Sequence, residues 1–457
     1  MIGNIRYKRN NKWFQFSFTN GLLTIYADRF YSEISDDENE QEFDIESELP
    51  YLIGDVSNVY DTVVFILDDE PPDLSSYWSK VSLNVLYYIV LNDKAKGFTD
   101  MSFAFPELNY FYKSNKAIEF IDLEDNPKIK ILKHDQHNKK FKFDIGNNNV
   151  DCLLGIGKTF KSKPDTPLAL ESTIKFSFKE TRNVNFLIEL YNLVIKLFSF
   201  LCHRTNISVH RIKLTGNCLD GENRGVGYLY VNDNIKEERE DVISKTIEYS
   251  LLDIHFPDLI NFVADELLYM EQLPIESGQA KIGFGGFILI TAAFEWNIKN
   301  LSNFKTSDVR SKVKTDTVNV IRKLAEDLRY SHTEVKEIKF ISKLINQIDD
   351  NLEKKIIFAL NEFDSILKQF IDDIFKLNDE PVDTYETIAN RISEHRNAFA
   401  HGQMDKELDD MIVLDINILE WVNYCIVLKY LGYDDESIFL IIKSIFNRPR
   451  RLIFRDE

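Results

Sequence analysis

The segment of this sequence best suited to chemistry is RISEHRNAFAHGQ, which spans Arg391–Gln403. Within it, Arg396 and His401 are separated by four residues, and Gly402 follows at once. A guanidinium binds anions through a planar fork of donors, and an imidazole exchanges protons near neutral pH. A segment that presents both groups could therefore carry acid–base chemistry on an anionic substrate.

An arginine and a histidine with four to six residues between them form a weak pattern by themselves. With 8 histidines in 457 residues, about one such match is expected by chance. A second match is indeed present at Arg204 and His210, but it leads into the run Ile207–Leu214, whose β-branched residues predict a strand. Arg396 and His401 could also be an ordinary exposed pair, so the element that carries them matters.

The segment Thr384–His401 is predicted to form a helix that buries one narrow stripe. At about 100° per residue, the stripe is made of Ile388, Ile392, His395 and Phe399. Arg396 lies on the flank of this stripe, and Gly402 supplies a natural helix stop. His395 is predicted to be a packing residue, with a third catalytic group as the alternative.

The opposite face of the same helix is predicted to be small and polar. Asn397 and His401 share this face because they are four residues apart. The other residues assigned to the face are Asn390, Ser393, Ala389 and Ala400. Such a face lets another backbone approach closely, so we expect it to form the interface of a homodimer.

The string RNAFAHG at 396–402 resembles the Arg-Asn-x-x-x-His signature of HEPN domains, which are helical bundles, usually dimeric, that include many metal-independent ribonucleases. The wider chain resembles the ApeA group of bacterial anti-phage HEPN proteins, with a β-rich N-terminal region and a C-terminal HEPN bundle. The other matching segments are YLIGDVSNVYDTVVFIL (51–67), IKFSFKETRNVNFLIELYNLVIKLFSFL (174–201) and AAFEW (292–296).

This resemblance implies RNA cleavage by attack of the 2′-hydroxyl on the neighbouring phosphate. That reaction needs a base, an acid and a cation near the phosphorane. Arg396 would hold the phosphate, His401 would transfer protons, and Asn397 would orient one of them. A two-fold dimer would supply a second His401. The implied partners are RNA, with transfer RNA as one option, a second copy of the chain, and a phage-derived trigger.

Three alternatives stay open. Glu295 in AAFEW could brace Arg396 from another helix or be an ordinary structural partner. The HEPN bundle could be catalytically silent and serve only as a dimerisation module. In that case the aromatic N-terminal region would be the functional part, sensing a ligand or a phage protein.

The charge of the chain restricts where RNA could bind. The net charge of −19 is unfavourable for binding phosphate backbones over a broad surface. From Thr291 onward 24 basic residues face 30 acidic ones, a net of −6, which leaves −13 for the first 290 residues. Four arginines lie in the last eleven residues. RNA contact is therefore expected to be local and near the C-terminal region.

Composition also indicates a folded cytoplasmic protein. Hydrophobic residues make up 44% of the chain, enough for packed cores. The four cysteines lie far apart without a Cys-x-x-Cys pair, as expected for reduced thiols. The N-terminus lacks the apolar core of a signal peptide, and the apolar run Gly283–Phe294 is too short to span a bilayer. No membrane association is predicted.

The fold class predicted from hydrophobic patterning is α+β, in three parts. Residues 1–140 form a β-rich domain with strands in Trp13–Tyr26, Thr62–Leu67 and Val81–Leu91, interrupted by an acidic loop at 35–48. Residues 141–250 form a mixed segment, with a helix at Asn185–Phe200 between strands at Ser172–Phe178 and Ile207–Leu214. Residues 251–457 form the helical domain.

Five or six helices are expected in that C-terminal domain. An apolar stripe with spacings of three and four predicts a helix along Ile356–Ile374, and Met411–Leu431 is apolar nearly all round, as in a buried central helix. The remaining helices are predicted at Thr306–Tyr330, Thr384–His401 and Glu436–Phe446.

No cofactor or metal is predicted. The string GIGKT at Gly155–Thr159 resembles the end of a P-loop, but Cys152 stands where the first glycine would be needed. The string GFGG at 283–286 does not fit the dinucleotide-binding fingerprint. His134 and His137 lie in a charged segment without cysteines, which disfavours zinc.

Overall fold

The structure is a computed structural model of the 457-residue chain. It describes residues 1–7, 12–33, 45–57, 62–74, 79–92, 95–121, 128–160, 168–233, 235, 238–275, 283–302, 319–321, 323, 327, 351–402 and 408–446. The chain divides into two compact units, Met1–Leu267 and Leu268–Glu457. The first is built on β-strands and the second is helical, which confirms the predicted α+β class.

The described part of the first unit contains fourteen strands. They are β1 Ile2–Tyr7, β2 Lys12–Thr19, β3 Leu22–Glu33, β4 Tyr51–Val56, β5 Thr62–Leu67, β6 Val81–Leu91, β7 Ala95–Phe103, β8 Ile118–Ile121, β9 Lys128–Ile131, β10 Lys139–Ile145, β11 Asn148–Phe160, β12 Leu168–Thr181, β13 Arg211–Cys218 and β14 Asn223–Val231. Twelve of them form one sheet, in the order β10-β11-β12-β7-β13-β14-β6-β3-β2-β1-β4-β5.

Six strands of this sheet close into a barrel, because β5 also pairs with β6. The interior is aromatic and aliphatic, with Phe16 and Phe65 fully buried and their rings 5.3 Å apart in an edge-to-face contact. Strand β6 pairs with β3 through residues 81–84 and then with β14 through residues 87–91, so it forks the sheet. Beyond this fork, β14 to β10 form an open half-sheet.

The strand predictions are confirmed at Thr62–Leu67 and Val81–Leu91, and refined elsewhere. Trp13–Tyr26 is a hairpin of β2 and β3, turning at Asn20 and Gly21, both with positive φ. The strand predicted at Ile207–Leu214 begins only at Arg211. Residues 207–210 form no strand, although Ile207 and Val209 are buried there. Their β-branched composition reflects this burial.

The first unit also contains six short or medium helices in its described part. They are α1 Pro106–Phe111, α2 His134–His137, α3 Val184–Cys202, α4 Glu240–Ile243, α5 Tyr249–Leu252 and α6 Phe256–Ala264. The predicted helix at Asn185–Phe200 corresponds to α3. Its N-cap is Asn183, whose side chain accepts a hydrogen bond from the Phe186 N–H at 3.2 Å. The helix buries Leu187, Leu190 and Val194 fully.

The second unit has six helices whose bounds are described in full. They are α7 Phe284–Asn300, α8 Leu352–Glu362, α9 Asp364–Leu377, α10 Tyr385–Ala400, α11 Asp410–Tyr430 and α12 Asp435–Ile445. Helix α11 is buried nearly all round, as predicted for Met411–Leu431. Helix α10 packs against α7, α8 and α11, and α12 matches the helix expected at Glu436–Phe446.

One helix prediction in this unit is corrected. The stripe along Ile356–Ile374 is not one helix, since α8 ends and α9 begins at Phe363, whose ψ of 18° departs from helical geometry. Phe363 is buried, so the bend keeps the apolar sides of both helices on the core. The helix predicted at Thr306–Tyr330 lies outside the described residues, except for 319–321, 323 and 327, which are helical. The acidic loop at 35–48 is described only from Ile45 onward.

The three expected domains can be compared with the two units. The boundary expected between residues 140 and 141 falls inside β10, so strands on both sides of it share one sheet. The boundary expected between residues 250 and 251 falls inside α5. The string GIGKT lies within the long strand β11 rather than in a loop that leads to a helix.

In the part of the chain that the structure describes, two helices, α3 and α11, are long and apolar enough to cross a bilayer by length and composition. Burial explains this composition, since 72% of the most apolar window of α3 and 78% of that of α11 are buried within the fold. Core helices of globular proteins are hydrophobic all round for the same reason.

Candidate active site

Helix α10 has a defined start and a defined stop. At its start, the Thr384 hydroxyl accepts a hydrogen bond from the Thr387 N–H at 3.3 Å. At its end, the His401 N–H bonds the Asn397 carbonyl at 3.1 Å, and Gly402 follows with a φ of +78°. A residue in this left-handed region ends a helix at the lowest cost when it is glycine. The predicted stop at Gly402 is therefore confirmed, and His401 is the last residue before it.

The predicted buried stripe of α10 is confirmed. Ile388 and Ile392 are fully buried, and His395 is 4% exposed. Phe399 packs edge-to-face on the rings of Phe284 and Phe287 from α7. His395 faces its own unit, with Nδ1 at 2.9 Å from the Arg391 carbonyl. These contacts fit the predicted packing role of His395.

Arg396 lies beside this stripe and reaches α7. Its Nη2 donates to the Glu295 Oε2 at 3.2 Å, with 38% of the Arg396 side chain and 31% of the Glu295 side chain exposed. The sequence left open whether Glu295 meets Arg396 at all, and the structure shows this contact. An ion pair of this exposure contributes about 1 kcal/mol or less to stability. Its larger effect is to hold the guanidinium in place with donors left over for a second anion.

Asn397 and His401 are exposed at the end of α10. Within the part of the chain that the structure describes, neither side chain has a hydrogen-bond or ion-pair partner. Five residues of helix place Arg396 and His401 about 140° apart around the axis and about 7.5 Å apart along it. The end of α10 therefore presents an anchored cation and, further round the helix, an imidazole without a partner among the described residues.

The face predicted for dimerisation is mostly available. Asn390, Asn397 and Ala400 are exposed, and Ser393 is half-buried. Ala389 is a correction, because it is fully buried inside its own unit. It lies only about 20° from Arg396 around the helix, on the side that turns towards the neighbouring helices rather than towards solvent.

A buried ion pair that the sequence analysis missed joins α10 to α11. Arg391 donates from Nε and Nη2 to both carboxylate oxygens of Asp415, at 2.7 and 2.8 Å, and from Nη1 to Asp383 at 2.5 Å. Asp415 is fully buried. Burial raises its pKa to about 7, although Arg391 opposes the shift. The signal was present, since Asp415 is the single charge in the apolar run MIVLDINIL.

A second buried polar contact joins α7 to the same central helix. Asn297 donates to the Asn423 side-chain carbonyl at 3.0 Å, and Asn423 donates to the Ile290 carbonyl at 3.3 Å. Both asparagines are almost fully buried. Because Glu295 lies two residues before Asn297, this contact also fixes the helix that presents Glu295 to Arg396.

The other candidate residues named from the sequence do not contribute to this site in the described part of the chain. Arg204 is fully buried and bonded to Glu107, whereas His210 bonds Ser208 at 2.6 Å and lies 3.1 Å from Asp233. In the second Arg–His match, both side chains are thus engaged within the first unit. His137 is buried in the first unit. The four C-terminal arginines, Arg448, Arg450, Arg451 and Arg455, lie outside the described residues.

A comparison with protein families identifies the helical part of the chain. The family model described as Apea-like HEPN matches residues 289–437. The matched region runs from α7 to the start of α12 and contains Glu295, Arg396, Asn397 and His401. No curated protein and no solved structure gives a significant match to the chain.

Proposed function

Because the C-terminal unit of this chain contains an Apea-like HEPN domain, we propose that the protein is a metal-independent endoribonuclease in which Arg396 and His401 act in a homodimer. The observation that carries the proposal is the end of α10 inside the matched region. It presents a solvent-accessible guanidinium anchored by Glu295 and an unpaired, exposed imidazole. HEPN domains are typically ribonucleases, and these two groups could supply the cation and one of the two proton-transfer groups that such a reaction requires.

The proposed reaction needs no redox partner and no bound ion. A base removes the proton of the ribose 2′-hydroxyl, and the resulting oxygen attacks the adjacent phosphorus. The bond from phosphorus to the 5′-oxygen breaks, and an acid protonates that oxygen. The products are a 2′,3′-cyclic phosphate and a 5′-hydroxyl. Arg396 binds the non-bridging oxygens, on which negative charge develops in the transition state.

The two proton transfers require a second proton-transfer group, which a second copy of the chain would supply. One imidazole cannot conveniently be base and acid in the same step, since the two protons are on opposite sides of the phosphorus. A two-fold axis near the end of α10 would bring His401 of the partner subunit to the same phosphate. Asn397, on the exposed face beside His401, would orient the imidazole or the phosphate.

The direct test incubates the full-length protein with a structured RNA, such as transfer RNA, in excess EDTA. We expect cleavage that persists with the chelator and leaves 2′,3′-cyclic phosphate and 5′-hydroxyl ends, which a ligase that joins 5′-phosphates to 3′-hydroxyls cannot use until they are enzymatically repaired. Cleavage that depends on added Mg²⁺, or that leaves 5′-phosphates, would overturn the proposed chemistry. Denaturing gels and end-specific labelling read out both properties.

The dimer has its own test. A cation introduced at Ala400 or Asn390 should disfavour association, because two-fold symmetry places each residue of the face near its own copy or a close neighbour. We expect Ala400→Arg and Asn390→Arg to shift the mass measured by light scattering from dimer to monomer. Asp373→Arg, which reverses an exposed charge on α9, is the control and should stay dimeric. A wild-type protein that is monomeric at micromolar concentration contradicts the dimer.

The biological setting is proposed from the family alone. We infer an abortive-infection role, in which a phage-derived trigger releases the nuclease. Transfer RNA is the substrate class that we would test first. Cells that carry His401→Ala should plate phage as efficiently as cells without the protein. Equal protection by the wild type and by His401→Ala would instead favour a sensing or dimerisation role without catalysis.

A further inference from the structure

On one face of the open half-sheet of the first unit, exposed cations lie beside partly exposed aromatic rings. The other face is hydrophobic, with Ile212, Leu214 and Leu229 fully buried. Side chains alternate between the two faces of a strand, so Arg211 and Lys213 belong to the first of these faces, and both are exposed. Strand pairing then identifies the side chains beside them.

The first row across this face is aromatic. Arg211 of β13 is paired with Tyr230 of β14, and Tyr230 is paired with Tyr88 of β6. The rings of Tyr230 and Tyr88 are stacked, with centroids 4.7 Å apart and planes within 5°. Tyr88 in turn packs on Phe18 of the barrel, with centroids 4.9 Å apart. The row therefore runs from the barrel interior out to an exposed guanidinium.

The second row adds positive charge next to the first. Lys213 is paired with Tyr228 on one side and with Ser102 of β7 on the other, and Ser102 is paired with Lys175 of β12. The Arg211 guanidinium lies over the Tyr228 ring, 3.6 Å from its centroid. This distance fits a cation–π contact in which one side of the guanidinium plane stacks and the other stays open.

Two of the cations on this face are not neutralised by a neighbouring carboxylate of the described residues. Within the described residues, neither Arg211 nor Lys213 has a carboxylate within ion-pair distance, whereas Lys175 is paired with Asp100 at 2.8 Å. The chain carries a net charge of −19, so two unpaired cations beside three tyrosines stand out from an acidic background. Such a surface complements a ligand that offers both negative charge and flat rings.

Single-stranded RNA has both properties. Unstacked bases stack on aromatic rings and on arginine planes, while the backbone binds lysine and arginine. In a duplex the bases are already stacked on one another, so the rings of a duplex could not reach Tyr228 or the open side of Arg211. We propose that this face, formed by Tyr88, Arg211, Lys213, Tyr228 and Tyr230, binds single-stranded RNA. The proposal uses no residue of the helical unit and stands apart from the proposed nuclease.

Fluorescence anisotropy on the full-length protein tests this proposal. The probe is a labelled 12-nucleotide 2′-O-methyl oligouridylate, which has no free 2′-hydroxyl and cannot be cut by the proposed reaction. Arg211→Ala/Lys213→Ala should weaken binding about tenfold or more, and should lower the magnitude of the slope of log K against log salt by about 1.4 for two lost phosphate contacts. Tyr228→Leu, which keeps an apolar side chain, should also weaken binding about tenfold.

The matched control is Lys142→Ala. Lys142 lies on the same face and is exposed, but it is paired with Asp151 and lies four strands away on β10, about 19 Å from β13. Lys142→Ala should bind the probe with an affinity within twofold of that of the wild type. The proposal would be overturned if Arg211→Ala/Lys213→Ala or Tyr228→Leu bound the probe as tightly as the wild type. It would also be overturned if the wild type bound a 12-base-pair duplex as tightly as the probe. The absence of any measurable binding by the wild type would overturn it as well.

Discussion

Replacing His401 with alanine is expected to slow RNA cleavage by about 10²–10⁴-fold, the range that one acid–base group contributes. The free energy of unfolding should change by about 0.5 kcal/mol or less, because His401 is exposed at the end of α10 and has no side-chain partner within the described residues. The measurement compares single-turnover cleavage in EDTA with urea unfolding for the same preparations.

Arg396→Ala should cause a loss of cleavage of similar size, for a different reason. The guanidinium holds the phosphate oxygens, and its removal also leaves Glu295, which is 31% exposed, without its cation. Arg396→Lys is the informative intermediate, since it keeps the charge but loses the planar fork of donors. We expect it to recover only part of the activity.

His395→Ala is the matched control, because it lies on the same helix but in the buried stripe. It should lower stability by about 2 kcal/mol, in the range of core substitutions, and retain cleavage at a temperature where the protein stays folded. If His395 is needed for cleavage and His401 is not, the catalytic face has been assigned to the wrong side of α10.

Replacing Arg391 with alanine is expected to destabilise the protein by about 3–5 kcal/mol, as is usual when one partner of a buried ion pair is removed. Asp415 would then be fully buried without the cation that now donates to both its oxygens. Urea unfolding measures the effect. Lys429→Ala breaks an exposed pair with Asp435 and should cost about 1 kcal/mol or less.

The free energy of unfolding that is lost in Arg391→Ala should increase above pH 7. In the wild type, burial raises the pKa of Asp415 from 3.8 to about 7. Between these values the folded protein keeps a proton that the unfolded chain has released. The contribution of Asp415 to stability therefore falls as pH rises from about 4 to about 7 and then levels off. Without Arg391 the pKa of Asp415 rises further, so in the variant the decline continues past pH 7.

Unfolding at pH 6 and pH 8.5 resolves this difference. The gap in unfolding free energy between wild type and Arg391→Ala should be larger at pH 8.5, by up to about 1.4 kcal/mol for each pH unit above 7. Asp415→Asn removes the titrating group. The difference in unfolding free energy between Asp415→Asn and the double variant Asp415→Asn/Arg391→Ala should therefore be the same at both pH values. A gap for Arg391→Ala that is equal at both pH values, or larger at pH 6, contradicts this account.

The helix that carries the candidate site could be predicted from sequence because its determinants are local. The 3.6-residue repeat placed Ile388, Ile392, His395 and Phe399 in one buried stripe, and Gly402 marked the stop. The same logic failed at Phe363, where the repeat continues through a break. An apolar stripe shows which residues are buried, but not whether the helix is continuous. Two helices joined by a buried bend produce the same spacing of apolar residues as one long helix.

The sequence by itself thus determined the helical C-terminal unit, the buried face of α10, the exposure of His401 and the signature that lies inside the region matched by the family model. Only the tertiary structure decided which partners these side chains meet. Glu295 and Arg396 are 101 residues apart, and Arg391 and Asp415 are 24 apart. Backbone geometry repeats over a few residues, so local patterns reveal it. The choice between distant partners depends on how whole helices and strands pack, as does the pairing of β5 with β6 that closes the barrel.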